Sequence, residues 1–499
     1  MGPGQAMTTE SRSPVSTSEA AAVALDAAFD AHNLHMAPAA LAAVFDRTGV
    51  IAWRAAGEPR RDGSATDRHT VFRIASMSKS FLAATALSLR DEGRLELDRA
   101  ITDYVPGVRF LLDGRDMSVT LRQLLTNRSG MPEDNAWGDR QLGAPREQIA
   151  ALASEGFRLT AEPGERYQYS NLGMSLVGRA IEAVTDHPIE QEIATRFLEP
   201  LGLVHTRFEA SDYPGGGTLA AGFRTFDEGA TFADEPFVGS GALACIGGLF
   251  STIDDIAAWA AFLASAFTDE PRRAEVLSAA SRQELQRVHT MIPIGAARTH
   301  QELDAVGYGM GLVVEHDRRF GHIVQHSGGL PGFSSHMRWH TPTGLGVVVF
   351  GNSDEFLAAQ LAIRCHAGVL DRIDAPAEVV RPWPEALDFA QRIDRALRAD
   401  EPLAGLDNVF AENVMRDVPA DVRERRLAQA LDSLGPIDAT QKLLSARIRS
   451  SASPADLRWI VECQRGALLC EIRLVGIRRP LVQNLEVSPI EPPPEALRL

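Results

Sequence analysis

Apolar positions along this 499-residue chain change period several times, and the changes mark its blocks. Alanine-rich helical spacing runs from Thr17 to about His32, followed by two strand-like runs, Ala39–Phe45 and Gly49–Ala55. From Leu95 to about Phe267 the spacing is mostly that of helices and loops, with helices expected at Arg146–Glu155, Leu172–Val184 and Ile253–Ala266. Strand character returns at Gly309–Glu315, His322–His326, Ser334–His340 and Leu345–Phe350, and a helix at Asp354–Leu370 closes the block. Strands and helices at both ends, with a helical insertion between, predict one α/β sheet assembled from sequence-distant halves.

Residues 1–16 lack any such pattern and are expected to be disordered, with residues 1–6 a cloning remnant if Met7 is the natural start. A linker at 374–385 carries three prolines, which disfavour regular structure. Beyond it, 386–499 reads as a second, α+β domain. Helical patterns at Ala386–Arg398 and Val422–Leu434 precede strand-like runs at Lys442–Ile448, Leu457–Cys463, Ala467–Val475 and Leu481–Val487.

The most apolar helical segment contains the chemistry. Phe72-Arg-Ile-Ala-Ser76-Met-Ser-Lys79-Ser-Phe-Leu-Ala-Ala-Thr-Ala-Leu-Ser-Leu89 is apolar or small on nearly every side, so it is expected to be buried. Lys79 is its only charge after Arg73. The chain has only two lysines, Lys79 and Lys442, among 50 basic residues. Arginine keeps its proton in a protein, whereas a desolvated lysine gives it up readily. A chain that otherwise uses arginine has placed lysine where a base is wanted. Ser76 stands three residues earlier, on the same helical face, and the two read as a catalytic pair.

Charge and cysteine usage narrow the setting. A net charge of −16 argues against nucleic-acid or anionic-membrane partners. The longest apolar run, Ile256 to Phe267, is too short to span a bilayer. The N-terminus lacks the apolar core of a signal peptide, and four scattered cysteines do not make a disulfide framework. The expectation is a cytoplasmic protein with reduced thiols.

Two further motifs accompany the pair. Tyr169-Ser-Asn171 lies where a loop enters a helix, and Tyr169 is one of only five tyrosines. Gln325-His326-Ser327-Gly328-Gly329 ends a strand, with glycines where a backbone must approach closely. No Gly-x-Ser-x-Gly elbow, dinucleotide fingerprint or phosphate loop is present, since Gly307-Tyr-Gly-Met-Gly311 has the wrong spacing and neither lysine follows a glycine. His322 and His326 fall on a strand, where a spacing of four does not make a metal pair, so neither metal nor cofactor is expected.

Ser76-Met-Ser-Lys79, Tyr169-Ser-Asn171 and His326-Ser-Gly328 resemble, in order, the three motifs of serine β-lactamase-like and penicillin-binding-protein-like hydrolases. The resemblance is nearest to the branch with class C β-lactamases, D-aminopeptidases, D,D-carboxypeptidases and β-lactamase-like esterases. Val119–Pro132, Phe197–Leu203 and Gly247–Thr252 also look like family segments. The resemblance covers about 20–370. It implies an antiparallel sheet flanked by helices, with a helical subdomain, over 17–373.

It also implies that Ser76 attacks a carbonyl to form an acyl-enzyme, with Lys79 and Tyr169, as phenolate or relay, taking the proton. Backbone N–H groups of Ser76 and Gly329 would hold the oxyanion. Asn171, His326, Gly328 and Gly329 would line the substrate. His326 stands where many β-lactamases have lysine, which weakens recognition of a substrate carboxylate and favours small esters, amides or D-amino-acid peptides. A β-lactamase, an acyltransferase and a non-hydrolytic sensor remain open alternatives. The C-terminal block resembles a cystatin-like or nuclear-transport-factor-like cone, expected to cover the pocket or to join copies into a homo-oligomer.

Overall fold

The structure, a computed structural model, describes residues 16–30, 34–59, 65–213, 218–293, 303–376, 380–451 and 453–490. The N-terminal segment up to residue 15 and linker positions 377–379 lie outside them. The chain divides into two compact units, Met1–Glu378 and Val379–Leu499.

In the first unit an eight-stranded sheet runs in the order Thr290–Met291, Leu303–Tyr308, Val313–Asp317, Gly321–Leu330, Phe333–His340, Gly346–Gly351, Ala39–Asp46, Gly49–Gly57. Every pairing is antiparallel. The sequence-distant halves join where Ala40 pairs with Gly351 and Phe45 with Gly346.

The strand Ala39–Asp46 shows why its sequence is a continuous apolar run. Side chains alternate faces along a strand. Leu41, Ala43 and Phe45 enter the core shared with the helices Ser78–Asp91 and Ile253–Ala264. Ala40, Ala42 and Val44 enter another, packed under the helices Thr17–Asp30 and Ala358–Arg372. Along this strand the sheet is therefore a middle layer with both faces buried, where a polar side chain would need a partner.

Two expectations about strands are corrected. Gly309–Glu315 is not one strand: Gly309–Leu312 forms a tight connection, closed by the Gly309 N–H donating to the Leu312 carbonyl at 2.8 Å, and the strand starts at Val313. Gly311 sits there at φ 66°, and a Cβ on it would stand 2.4 Å from the Lys79 carbonyl oxygen. The second correction falls in the C-terminal unit. Lys442–Ile448 is mostly a short helical turn, Leu444–Arg447, and the strand is Ile448–Ser450.

That unit packs the helices Pro384–Ala399 and Ala420–Leu434 against an antiparallel meander of Ile448–Ser450, Asp456–Cys463, Gly466–Leu474 and Val482–Ile490. A buried ion pair lies inside it. Arg447 donates to both Asp394 oxygens at 2.7 Å, and Trp459 Nε1 donates to Asp394 Oδ1 at 3.2 Å. Removing one partner strands the other charge in the core, so Asp394→Ala is expected to cost about 3–5 kcal/mol. Denaturant unfolding of the intact chain should show the transition of residues 379–499 moving to lower denaturant; an unmoved midpoint would contradict the burial argument.

Candidate active site

The backbone around Ser76 is held from both sides. The short strand Phe72–Arg73 pairs with Phe250–Ser251, and the Ile74 carbonyl accepts from Ser335 Oγ at 2.8 Å. Ala75 then adopts φ 49°, a left-handed conformation that costs an L-residue about 1–2 kcal/mol. The kink sends the chain through the turn Ala75–Met77 into the helix Ser78–Asp91. Polar residues on this buried helix bond back to its own turns: Ser78 Oγ to the Ala75 carbonyl, Ser80 Oγ to Met77, Thr85 Oγ1 to Phe81. Lys79 is the one charged side chain among its fully buried positions.

Lys79 Nζ stands 2.8 Å from Ser76 Oγ and donates to the Ile246 carbonyl at 2.8 Å. Desolvation lowers its pKa from the ordinary 10.5 to about 7, against the opposing pull of the Asp139 and Asp134 carboxylates. Near neutral pH a large share of Lys79 is thus the free amine, and the same 2.8 Å contact then lets the serine hydroxyl donate to its lone pair. That is the geometry of a nucleophile and its general base.

Tyr169 lies with its ring 5.1 Å from Lys79 Nζ, and the Ser76 side chain acts on its hydroxyl. Of the two roles expected of it, phenolate or relay, its burial favours the relay. Desolvation holds its pKa well above 10.0, and the nearby Asp139 and Asp134 push the same way, so Tyr169 stays a phenol.

His326 is buried and neutral. Desolvation and the Lys79 charge lower its pKa from 6.5 to about 3. Its Nδ1–H donates to the Ser327 carbonyl at 2.6 Å, which leaves Nε2 as an acceptor 3.3 Å from the Tyr308 hydroxyl. The two glycines after it do different jobs. A Cβ on Gly328 would meet the Ile74 carbonyl oxygen at 2.3 Å, so Gly328 lets the strand touch the turn carrying Ser76. Gly329 has nothing within 4 Å of such a Cβ and leaves open space beside the backbone.

Asn171 opens the helix Asn171–Thr185 but does not cap it; the cap is Ser170, whose Oγ accepts from the Gly173 N–H at 2.9 Å. Asp134 completes the helix start, accepting from the Asn171 and Leu172 N–H groups at 2.6 and 3.0 Å. A carboxylate there also complements the helix dipole. Asn127, at φ 52°, accepts from the Ser170 N–H at 3.1 Å, a purely structural bond.

Sequence reasoning missed Asp134, Asp139 and Tyr308. The tyrosine lay in Gly307-Tyr-Gly-Met-Gly311, examined only as a nucleotide motif. The two aspartates sit in a loop of ordinary polar composition, where no spacing signals the approach to Lys79.

The fold and this arrangement are those of one class of protein. A family profile described as Beta-lactamase matches residues 25–364, and the chain belongs to that family. It is 29% identical over 284 residues to Protein flp of Staphylococcus aureus (strain COL), covering 57% of this chain and 53% of that protein. It thus spans about half the length of that relative. It is 26% identical over 305 residues to the D-alanyl-D-alanine-carboxypeptidase/endopeptidase AmpH of Escherichia coli (strain K12), covering 60% of this chain and 75% of that one. Among solved structures, a D-stereospecific amidohydrolase from Streptomyces sp. superposes with TM-score 0.53 at 26% identity, covering 70% of this chain and 97% of that one. An octameric penicillin-binding protein homologue from Pyrococcus abyssi gives 0.58 at 19% identity, covering 90% and 96%, which shows the fold alone.

If Lys79 acts as a free amine, Lys79→Arg should lower the rate of Ser76 modification at least about 100-fold at pH 7, because a guanidinium cannot accept the proton. Intact-mass labelling by a fluorophosphonate measures this. Labelling at the wild-type rate would remove Lys79 from the mechanism.

Proposed function

We propose that the chain is a serine hydrolase that works through an acyl-Ser76 intermediate on small esters, amides or D-amino-acid peptides. The observation that carries this is the buried Lys79 amine 2.8 Å from Ser76 Oγ, with desolvation holding its pKa at about 7. The hydroxyl proton passes to Lys79 as Oγ bonds to the substrate carbonyl carbon. The leaving amine or alcohol departs with a proton from Lys79, directly or through Tyr169. Water then attacks the ester carbonyl carbon, giving a proton to Lys79; the C–Oγ bond breaks, the carboxylic acid leaves, and Lys79 returns the proton to Ser76 Oγ.

Charge around the pair supports the choice among substrates. The wall opposite Ser76 carries neutral His326 rather than a cation. Asp134 and Asp139 both act on Lys79, and Arg140 is paired with Glu235 at 2.6 Å. Such surroundings disfavour a substrate carboxylate and accept neutral or amine-bearing substrates. The name of one relative, a D-stereospecific amidohydrolase, fits acyl transfer from D-residues. β-Lactam hydrolysis and acyl transfer to an alcohol use the same acyl-Ser76 and form the second reading.

The test is a panel of p-nitrophenyl esters, D-amino-acid p-nitroanilides and a chromogenic cephalosporin, run on the wild type and Ser76→Ala. Ester or D-anilide turnover well above cephalosporin turnover, absent in the variant, is expected. Cephalosporin as the best substrate would instead establish a β-lactamase.

A further inference from the structure

The turn 135–139 is built around one amide. The short helix Asn135–Gly138 passes so close to Asn171 that a Cβ on Gly138 would stand 2.8 Å from the Asn171 Cβ. Asn171 Nδ2 donates to Asn135 Oδ1 at 3.0 Å and to Asp139 Oδ1 at 3.4 Å. With both N–H groups directed at this turn, the amide cannot flip without facing oxygen against oxygen. Its buried Oδ1 is left as an acceptor with no partner among the described residues. Asp139 is also the carboxylate that acts most strongly on Lys79, ahead of Asp134.

We propose that Asp139 is a positioning residue for the Ser76–Lys79 pair: its carboxylate fixes the Asn171 amide with the oxygen as acceptor and sets a negative charge facing the Lys79 amine. This rests on the acyl-Ser76 reading above. An aspartate suits both tasks because it has acceptors only, and its charge favours the proton returning to Lys79 after each transfer.

The other groups acting on this pair are few. From the same loop come Glu133, Asp134 and Arg140, and from the loop before the Asn171 helix Tyr169, itself acted on by Tyr167. Cys245 acts from the turn Ala244–Gly247, and His326 from its strand. Tyr167 and Tyr169 are held as phenols, Cys245 as a thiol pushed up to about 12, and His326 as neutral imidazole. None of these four changes charge between pH 5 and 9. Asp139 itself, raised to about 6 mainly by desolvation, is ionised over the range where Lys79 becomes the free amine.

The sign of the effect follows. A carboxylate near Lys79 favours the ammonium, so removing the charge lets Lys79 lose its proton at lower pH.

The experiment measures the second-order rate of Ser76 modification by a fluorophosphonate from pH 5 to 9, by intact mass. In that reaction the Oγ–P bond forms, the P–F bond breaks, fluoride leaves and the hydroxyl proton goes to neutral Lys79. Wild type, Asp139→Asn, Asp139→Ala and Asp139→Glu are compared, with thermal melts to show that each is folded.

The acidic limb of the Asp139→Asn profile is expected to move down by roughly one pH unit. Asp139→Ala, which also loses the acceptor for Asn171, should show the same movement and a plateau lower by roughly 10- to 100-fold. Asp139→Glu should keep the limb near the wild-type position. A lower plateau with an unmoved limb in both neutral variants, or a glutamate limb that moves with asparagine, would overturn the proposal. Absence of wild-type labelling at Ser76 would instead overturn the acyl-Ser76 reading on which it stands.

Discussion

The burial of one ammonium-bearing side chain organises this molecule. Lys79 occupies a helix whose neighbouring positions are packed into the largest apolar core, and an ionised amine is expensive there. The surroundings meet that cost only in part: one carbonyl, one hydroxyl and two nearby carboxylates. The result is an amine poised near neutral pH beside a hydroxyl. Better compensation would have held it as a permanent cation, and none would have left it uncharged and unable to hold the proton it accepts.

Holding that balance needs both halves of the sheet. The strand Gly321–Leu330 brings His326 and Gly328 against the turn of Ser76, and Ser335 on the next strand grips the Ile74 carbonyl. Those strands are in turn tied to Ala39–Asp46 through Gly346–Gly351. The helical insertion supplies the opposite wall, with Tyr169 and Asn171 entering from a helix start secured by Ser170 and Asp134. Ile74 and Ser335, 261 positions apart in sequence, meet because a sheet with buried faces leaves little freedom for slippage.

Much of this was legible in the chain. The continuous apolar run at 39–45 matched a strand buried on both sides, and the apolar spacing around Ser76 matched a buried helix. Ser76 and Lys79 could be paired because three residues along a helix is one turn, a purely local relation. The corrected elements have the opposite character. Gly309–Glu315 was read as a single strand because glycine spacing does not reveal which glycines sit against a neighbouring helix. For Tyr169 a phenolate and a relay both stay open in the sequence, because proximity to a cation is visible in a motif whereas the depth of burial is not.

By itself the sequence determined the local matters: most of the helices and strands, that Ser76 and Lys79 stand one turn apart, and that a lysine rather than an arginine occupies that buried position. Periodicity, helical adjacency and side-chain chemistry are enough for these. Tertiary structure alone decided that Lys79 is desolvated enough to give up its proton, that Tyr169 and His326 stay neutral, and that Asp134 and Asp139 stand near the pair. Each depends on distance and solvent exclusion among residues far apart in the chain, and the free energy of a charge is set by the surroundings that folding creates.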